Sequence, residues 1–277
     1  MGQEDIKKAV RDRYARMAKN TGLYCFPFVS CCDGKNVAEK ISSGIGYSAE
    51  DLQSVPEGAN LGLGCGNPVA LASLKEGETV IDLGSGAGFD CFLAANQVGK
   101  NGRVIGVDMT PEMIDKAREN ARNGGYRNVE FSLGEIENLP LANNVADIII
   151  SNCVITLSPN KERVFQEAYR VLKPGGRLMI SDIVLIHELA EAVKNSIRAY
   201  VECVAGAVMK EDYINVTKKA GFQDVKIMGE KSFTVKDLGG HPEAKFSTGI
   251  GGENLAICLA SINICAIKPD MTLSKFQ

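Results

Sequence analysis

The chain has 277 residues, 45% of them hydrophobic, enough to bury one large α/β core with a smaller appendage. Lys and Arg number 31 against 34 Asp and Glu, a formal charge of −3, so no basic excess exists to neutralise phosphates and nucleic acid is not an expected partner. No segment approaches the ~20 apolar residues of a membrane span, and the start MGQEDIKKAVRDRYARMAKN lacks the apolar run of a secretion signal. A soluble cytoplasmic protein without a membrane partner is the expectation.

Ile6 stands where the myristoylation pattern of a Gly2 chain requires Ser or Thr, which removes that reading. The 9 cysteines, in a chain without an export signal, read as free thiols rather than a disulfide scaffold. No pair has Cys-x-x-Cys spacing, and the histidines are only His187 and His241, so a zinc finger or a redox motif has no local support.

In chain order, an amphipathic helix over about Glu4 to Lys19 precedes an irregular stretch with Cys25, Cys31 and Cys32, then the Gly-rich run NLGLGCGNPVALASL. There Asn67 is placed to cap a short helix that starts at Pro68. From Thr79, apolar strands TVIDLG, GRVIGVD, NVEFSL, VADIIISN and GRLMISDI alternate with helices that begin near Gly88, Pro111 and Pro159. Such nearly continuous Val, Ile and Leu runs are what parallel strands covered on both faces need. A long helical region through SIRAYVECVAGAVMK follows, then a helix KEDYINVTKKA ending at Gly221, and strands within DVKIMGEKSFTV and NLAICLASINICAIK. This alternation predicts a doubly wound α/β sheet.

Between the first strand and its helix, TVIDLGSGAGFD makes a tight turn with Asp82, Gly84, Ser85, Gly86 and Gly88. Glycines there let the backbone approach a ligand and take dihedrals that a Cβ forbids. The spacing is G-x-G-x-G rather than the dinucleotide G-x-G-x-x-G, which suits a ligand with no pyrophosphate. Asp108 ends the second strand, followed by Met109, where an acid hydrogen-bonds ribose hydroxyls. Glu135 and Ile136 follow the third strand, placed to accept from an adenine amine and pack on its ring. The fourth strand delivers Asn152 and Cys153 to the same sheet edge.

Other thiols are weighed singly. Cys65 is flanked by glycines that no packed core requires, and Cys203 has Gly206 and Ala207 one turn on. Cys91 reads as packing in the first core helix, since free Cys usually behaves as a small hydrophobe. Cys258 and Cys265 are an odd number of residues apart in one strand and point to opposite faces.

The turn, Asp108, Glu135 with Ile136, and VLKPGGRL together resemble the class I S-adenosylmethionine methyltransferases over about Thr79 to Ile183. That resemblance implies a Rossmann-like, mostly parallel sheet of seven strands with an antiparallel last strand. It also implies Asp82 near the amino-acid part of the cofactor, Gly84 to Gly88 beneath it, Asp108 on the ribose and Glu135 with Ile136 at the adenine. The division expected is 1–75 for N-terminal helices and Cys-containing loops that cap the site, 76–185 for the cofactor-binding core, and 186–277 for a smaller α+β part that brings Cys203.

GLGCGNPVALA, SNCVI and AYVECVAGA further resemble the arsenite methyltransferase family, over about Val10 to Lys226. Carried over, the resemblance makes Cys65, Cys153 and Cys203 the As(III)-associated thiols and puts Cys31 or Cys32 in the place of an amino-terminal redox cysteine, with Cys32 preferred. It implies methylated arsenicals as products and a thiol reductant, glutathione-like or of thioredoxin type, as co-substrate. Ala15 after Tyr14 and Thr156 after SNCVI depart from the family pattern. Trivalent arsenic carries a lone pair and needs no general base, so the protein is expected to supply positioning and thiols of lowered pKa. Two rivals are weighed: a C-methyltransferase of a quinone or other small molecule, which gives no reason for the three thiols, and a non-catalytic thiolate protein that sequesters a soft metal, which gives no reason for the glycine turn with Asp108.

Overall fold

A computed structural model describes residues 2–19, 34–232 and 258–270 of the chain. Its elements in order are α1 (Gln3–Lys19), α2 (Gly34–Gly44), α3 (Ala49–Gln53), α4 (Pro68–Leu71), β1 (Thr79–Leu83), α5 (Phe89–Val98), β2 (Arg103–Asp108), α6 (Pro111–Asn123), β3 (Val129–Leu133) and β4 (Ala146–Asn152). Then follow α7 (Lys161–Val171), β5 (Leu172–Leu185), α8 (Glu191–Lys194), α9 (Ile197–Val201), α10 (Lys210–Lys219), β6 (Gln223–Ser232) and β7 (Leu259–Ile267).

The strands form one 7-stranded sheet of order β3-β2-β1-β4-β5-β7-β6. Pairs from β3 through β5 are parallel, while β7 runs antiparallel between β5 and β6. This is the mixed α/β sheet that the apolar runs predict. Pleating sends alternate residues of each strand to two cores. Ile81, Ile149 and Leu178 face a cluster with Phe165 of α7 and Tyr213 of α10, whereas Val80, Ile148 and Met179 face one with Phe92 of α5 and Ile114 of α6. Chain order reverses between β1 and β4, so the carboxyl ends of both strands open onto one crevice, where open α/β sheets bind ligands.

Two readings change. The region around SIRAYVECVAGAVMK is not one long helix: α8 and α9 are short, and the chain leaves α9 at Cys203, whose φ is 61°. The N–H groups of Val204 and Ala205 both turn back to the Ala199 carbonyl, at 2.9 and 3.1 Å, which closes the helix end as a left-handed residue requires. Second, the stretch before Asn67 holds helices that its polar composition hides. Of these α3 carries a full capping box, with Ser48 accepting from the Asp51 N–H at 3.0 Å and Asp51 accepting from the Ser48 N–H at 2.9 Å. Asn67 does cap α4, accepting from the Ala70 N–H at 3.0 Å.

Candidate active site

A cavity of about 750 Å3 opens at the carboxyl ends of β1, β2 and β4 beneath α1. Its floor is the glycine turn. Gly84 and Gly86 have φ of 72° and 52°, and the N–H groups of Gly84 and Ser85 bond to the Val107 carbonyl at 2.7 and 3.1 Å, which folds the turn back onto β2. A Cβ on Gly84 would lie 2.4 Å from the Val154 side chain, so this position is closed to any other residue on two counts. The Ser85 hydroxyl is buried without a protein hydrogen-bond partner, and Ser85 lines the cavity. Asp108 accepts from the Gly86 N–H at 2.9 Å and the Thr110 N–H at 2.8 Å, so it ties the turn to the end of β2 while lining the cavity. Burial raises its pKa.

Asp82, Met109, Ile136 and Asn152 also line this space. Two of the residues singled out in the sequence do not. Gly88, φ 96°, caps α5, and a Cβ there would meet Phe131 and Phe92 at 2.8 Å, so its glycine serves packing. Glu135 pairs with Lys7 at 2.6 Å and Arg11 at 3.6 Å, which fastens α1 to the loop after β3, and Glu137 takes its place on the cavity wall.

Three thiols face the same space from three parts of the chain: Cys65 before α4, Cys153 after β4 and Cys203 after α9. Cys153 lies within hydrogen-bonding reach of both the Cys65 and the Cys203 sulfurs. The Cys203 thiol donates to the Cys153 carbonyl at 3.6 Å, and the Tyr14 hydroxyl lies 4.0 Å from it. Cys153, like Cys203, is left-handed, with φ 59°. A non-glycine residue in that region costs about 1–2 kcal/mol and persists only where its surroundings hold it. Two such residues meet here, where the Cys203 thiol reaches the Cys153 carbonyl at the cavity wall.

Asn152 does most of the holding. Its Oδ1 accepts from the N–H groups of Cys65 and Gly66 at 2.9 and 3.3 Å, and its amide donates to the Gly66 carbonyl at 2.8 Å, the Tyr47 hydroxyl at 2.9 Å and Asp90 at 3.1 Å. The Cys65 loop is thereby fixed to the end of β4, and Ser261 of β7 donates to the Cys65 carbonyl at 2.7 Å from the other side.

The electrostatics correct one expectation. Cys65 and Cys153 are not activated by lowered pKa: burial pushes Cys65 up, and the neighbouring Cys203 and Cys65 thiols, with burial, push Cys153 well up. Lys161 acts electrostatically on Asp182 and Cys203 and is itself lowered to about 8 by burial, with its ammonium donating to the carbonyls of Thr156 and Ser158 at 3.1 and 3.0 Å.

Several residues at the site escaped the sequence reading. Asp182, fully buried in β5, has a carboxylate oxygen within 4.8 Å of the Cys65 and Cys153 sulfurs, and burial lifts it to about 6. Asp90 and Tyr47 form the support under Asn152, with Asp90 also lifted to about 6 by burial. An acid inside an otherwise apolar strand or helix turn, as in MISDIVL and GFDCFL, is the signal that could have found both. Cys91 packs as expected but also donates its thiol to Asp82 at 3.2 Å. Cys258 and Cys265 sit in separate apolar clusters. Cys32, Cys31 and Cys25 lie outside the described residues.

A switch-point cavity with a glycine turn and an acid ending β2 defines a class I methyltransferase site. Residues 74–221 match the model of a methyltransferase domain. The chain is 49% identical over 231 residues to an arsenite methyltransferase of Halobacterium salinarum, covering 81% of this chain and 59% of that protein. It is 35% identical to the arsenite methyltransferase of Aquipseudomonas alcaligenes over 84% of this chain and 66% of that one. Among solved structures, an arsenic (III) S-adenosylmethionine methyltransferase from Chlamydomonas reinhardtii superposes with a TM-score of 0.65 at 33% identity, over 85% of this chain and 74% of that one. The chain belongs to the arsenite methyltransferase family. It spans about three-fifths of the length of its Halobacterium relative.

Proposed function

We propose that this protein methylates As(III) held by Cys65, Cys153 and Cys203, with S-adenosylmethionine as methyl donor. The observation that carries this reading is the convergence of three thiols from distant parts of the chain onto one wall of a cavity whose floor is the glycine turn.

The residues present fit that donor. Ser85 offers a buried hydroxyl without a protein partner, the Gly84–Gly86 turn leaves the backbone open where a Cβ would crowd it, and Asp82 and Asp108 are acids on the same wall. When bound, S-adenosylmethionine supplies an electrophilic methyl group on a sulfonium. Asp82, Ser85, Gly86, Asp108, Met109, Ile136 and Asn152 would hold it. Glu135, committed to Lys7 and Arg11, would contribute by fixing α1 as a roof.

The raised pKa values of Cys65 and Cys153 suit this substrate. Arsenous acid condenses with three protonated thiols: three As–S bonds form, three As–OH bonds break, and each thiol proton leaves with a hydroxide as water. No base is needed and no buried thiolate has to exist beforehand, which avoids the cost of an unpaired buried charge. The bound arsenic keeps its lone pair and is the nucleophile. Thiolates are soft ligands for a soft centre, so hydroxyl side chains would not replace them.

Transfer of a methyl cation to that lone pair takes arsenic from the trivalent to the pentavalent state, and two electrons return it. A thiol reductant, glutathione-like or of thioredoxin type, supplies these on oxidation to its disulfide, and Cys32 is the redox thiol we assign to that exchange. Free thiols in such number require a reducing compartment, so the protein works in the cytoplasm. Among the described residues no helix is long and apolar enough to cross a membrane.

The test is mass spectrometry of products from As(III), reduced thiol and S-adenosylmethionine. Methylated arsenicals are expected. Their absence, with methylation of a quinone-type carbon acceptor instead, overturns the reading.

A further inference from the structure

Asp182 has no part in a three-thiol arsenic site, yet its carboxylate oxygen and the sulfurs of Cys65 and Cys153 all lie within 4.8 Å of one another. We propose that Cys65, Cys153 and Asp182 form a second binding mode of this pocket, a site for a divalent cation of the zinc and cadmium class. The proposal rests on donor geometry and holds whether or not As(III) is the methyl acceptor.

Around a four-coordinate zinc ion, with sulfur at about 2.3 Å and carboxylate oxygen at about 2.0–2.2 Å, neighbouring donors stand some 3.5–3.8 Å apart. The three donors, all within 4.8 Å of one another, need to close by at most about 1.0–1.3 Å, which rotation of the two cysteine side chains at the cavity wall can supply. Asp182 is built to hold still while they move. Its Oδ2 accepts from the Thr156 N–H and the Tyr213 hydroxyl, each at 2.9 Å, and its Oδ1 accepts from the Ile183 N–H at 2.9 Å, which leaves Oδ1 a lone pair for a metal. Supporting hydrogen bonds of this kind orient a metal-ligating carboxylate.

Charge favours the same assignment. Two thiolates and one carboxylate around a divalent ion leave one net negative charge, and the buried Lys161 ammonium, which acts electrostatically on Asp182, balances it. Adding Cys203 as a third thiolate would leave a net charge buried. The fourth position therefore goes to water from the cavity.

The two modes differ in ligand chemistry. As(III) takes sulfur and rejects carboxylate, whereas a borderline divalent ion accepts a mixed sulfur and oxygen set. Because Cys65 and Cys153 belong to both, an ion in this mode excludes arsenic from the pocket.

The test uses the full reduced chain without oxygen and Co2+ as probe. Expected are a thiolate-to-cobalt charge-transfer band and the intense visible bands of tetrahedral cobalt. Both bands should vanish in Cys65→Ser and Cys153→Ser, and Asp182→Asn should weaken Zn2+ binding at least about tenfold. Bands that survive the Cys65→Ser change, or an Asp182→Asn protein that folds and binds Zn2+ as tightly as the parent, overturn the proposal. Should Asp182→Asn fail to fold, zinc-edge X-ray absorption of the parent decides: a mixed sulfur and oxygen shell supports the site, and an all-sulfur shell refutes it. Methylation is not measured in either arm, so failure here is separable from failure of the methyltransferase reading.

Discussion

Asn152 carries more of the site than its place at a strand end suggests. It holds the Cys65 loop through two accepted and one donated backbone hydrogen bonds, and it rests on the Tyr47–Asp90 pair. Truncation to Ala strands these buried groups at about 1–3 kcal/mol each. We expect Asn152→Ala to fold with reduced stability and to expose Cys65, so that Cys65 is alkylated faster than in the parent while Cys265 is unchanged, as read by peptide mass spectrometry. An unchanged Cys65 rate would contradict this role. Asp90 and Asp182 make a second prediction. Burial raises both to about 6, so their protonated forms are favoured in the folded protein. The sign follows from linkage: stability they confer is present below the ordinary carboxylate range and is lost as pH rises through about 6. Glu78, Asp147 and Glu167 are lowered beside Arg177, Lys173 and Arg170, and act only below about pH 4. The denaturation midpoint should therefore rise between about pH 7.5 and pH 5. Asp90→Asn should flatten part of that slope, and a parent midpoint that falls over this interval would refute the assignment.

At the scale of elements, the connection after α9 places Cys203, and it is tightly built. A Cβ on Gly206 would lie 2.3 Å from the Thr156 carbonyl oxygen. Gly206→Ala must push this turn away from the Ile155–Leu157 turn that follows β4, carrying Cys203 with it. We expect a loss of about 1–3 kcal/mol in stability by chemical denaturation, with overpacking as cause, and a matching loss of As(III) affinity. Full retention of both would show that Cys203 is positioned by other means. This turn also marks what the sequence could show. The strands were readable because continuous Val, Ile and Leu runs have one interpretation between turns, and α4 and α5 because Asn67, Pro68 and Gly88 punctuate them. The helical pattern through Cys203 is broken in the structure because the left-handed conformation, which belongs to Gly by propensity, is adopted here by a cysteine under tertiary constraint. The helices α2 and α3 were hidden by polar, short sequences, and α3 is held by its capping box.

For the whole molecule, β order brings β1 and β4 together and leaves the switch point between them, so Cys153 was placed at the site by strand logic alone. The meeting of Cys65 and Cys203 with it was not derivable that way, because neither lies on a strand and they are positioned by contacts across 87 and 50 residues of sequence. Resemblance supplied that link, and geometry now gives it a physical basis. In the proposed reaction those three sulfurs act as one site. The direct measurement is the rate of As(III) methylation by the parent and by Cys65→Ser, Cys153→Ser and Cys203→Ser, each checked for S-adenosylmethionine binding. Loss of one sulfur leaves a two-coordinate arsenic that is poorly aimed, and misplacement by ~1 Å costs on the order of 10²-fold in rate. Every one of the three variants should bind the methyl donor and lose methylation by about that factor or more. A Cys203→Ser protein that methylates As(III) at the parental rate through every step would show that only two thiols hold the substrate and that the three-thiol site does not exist.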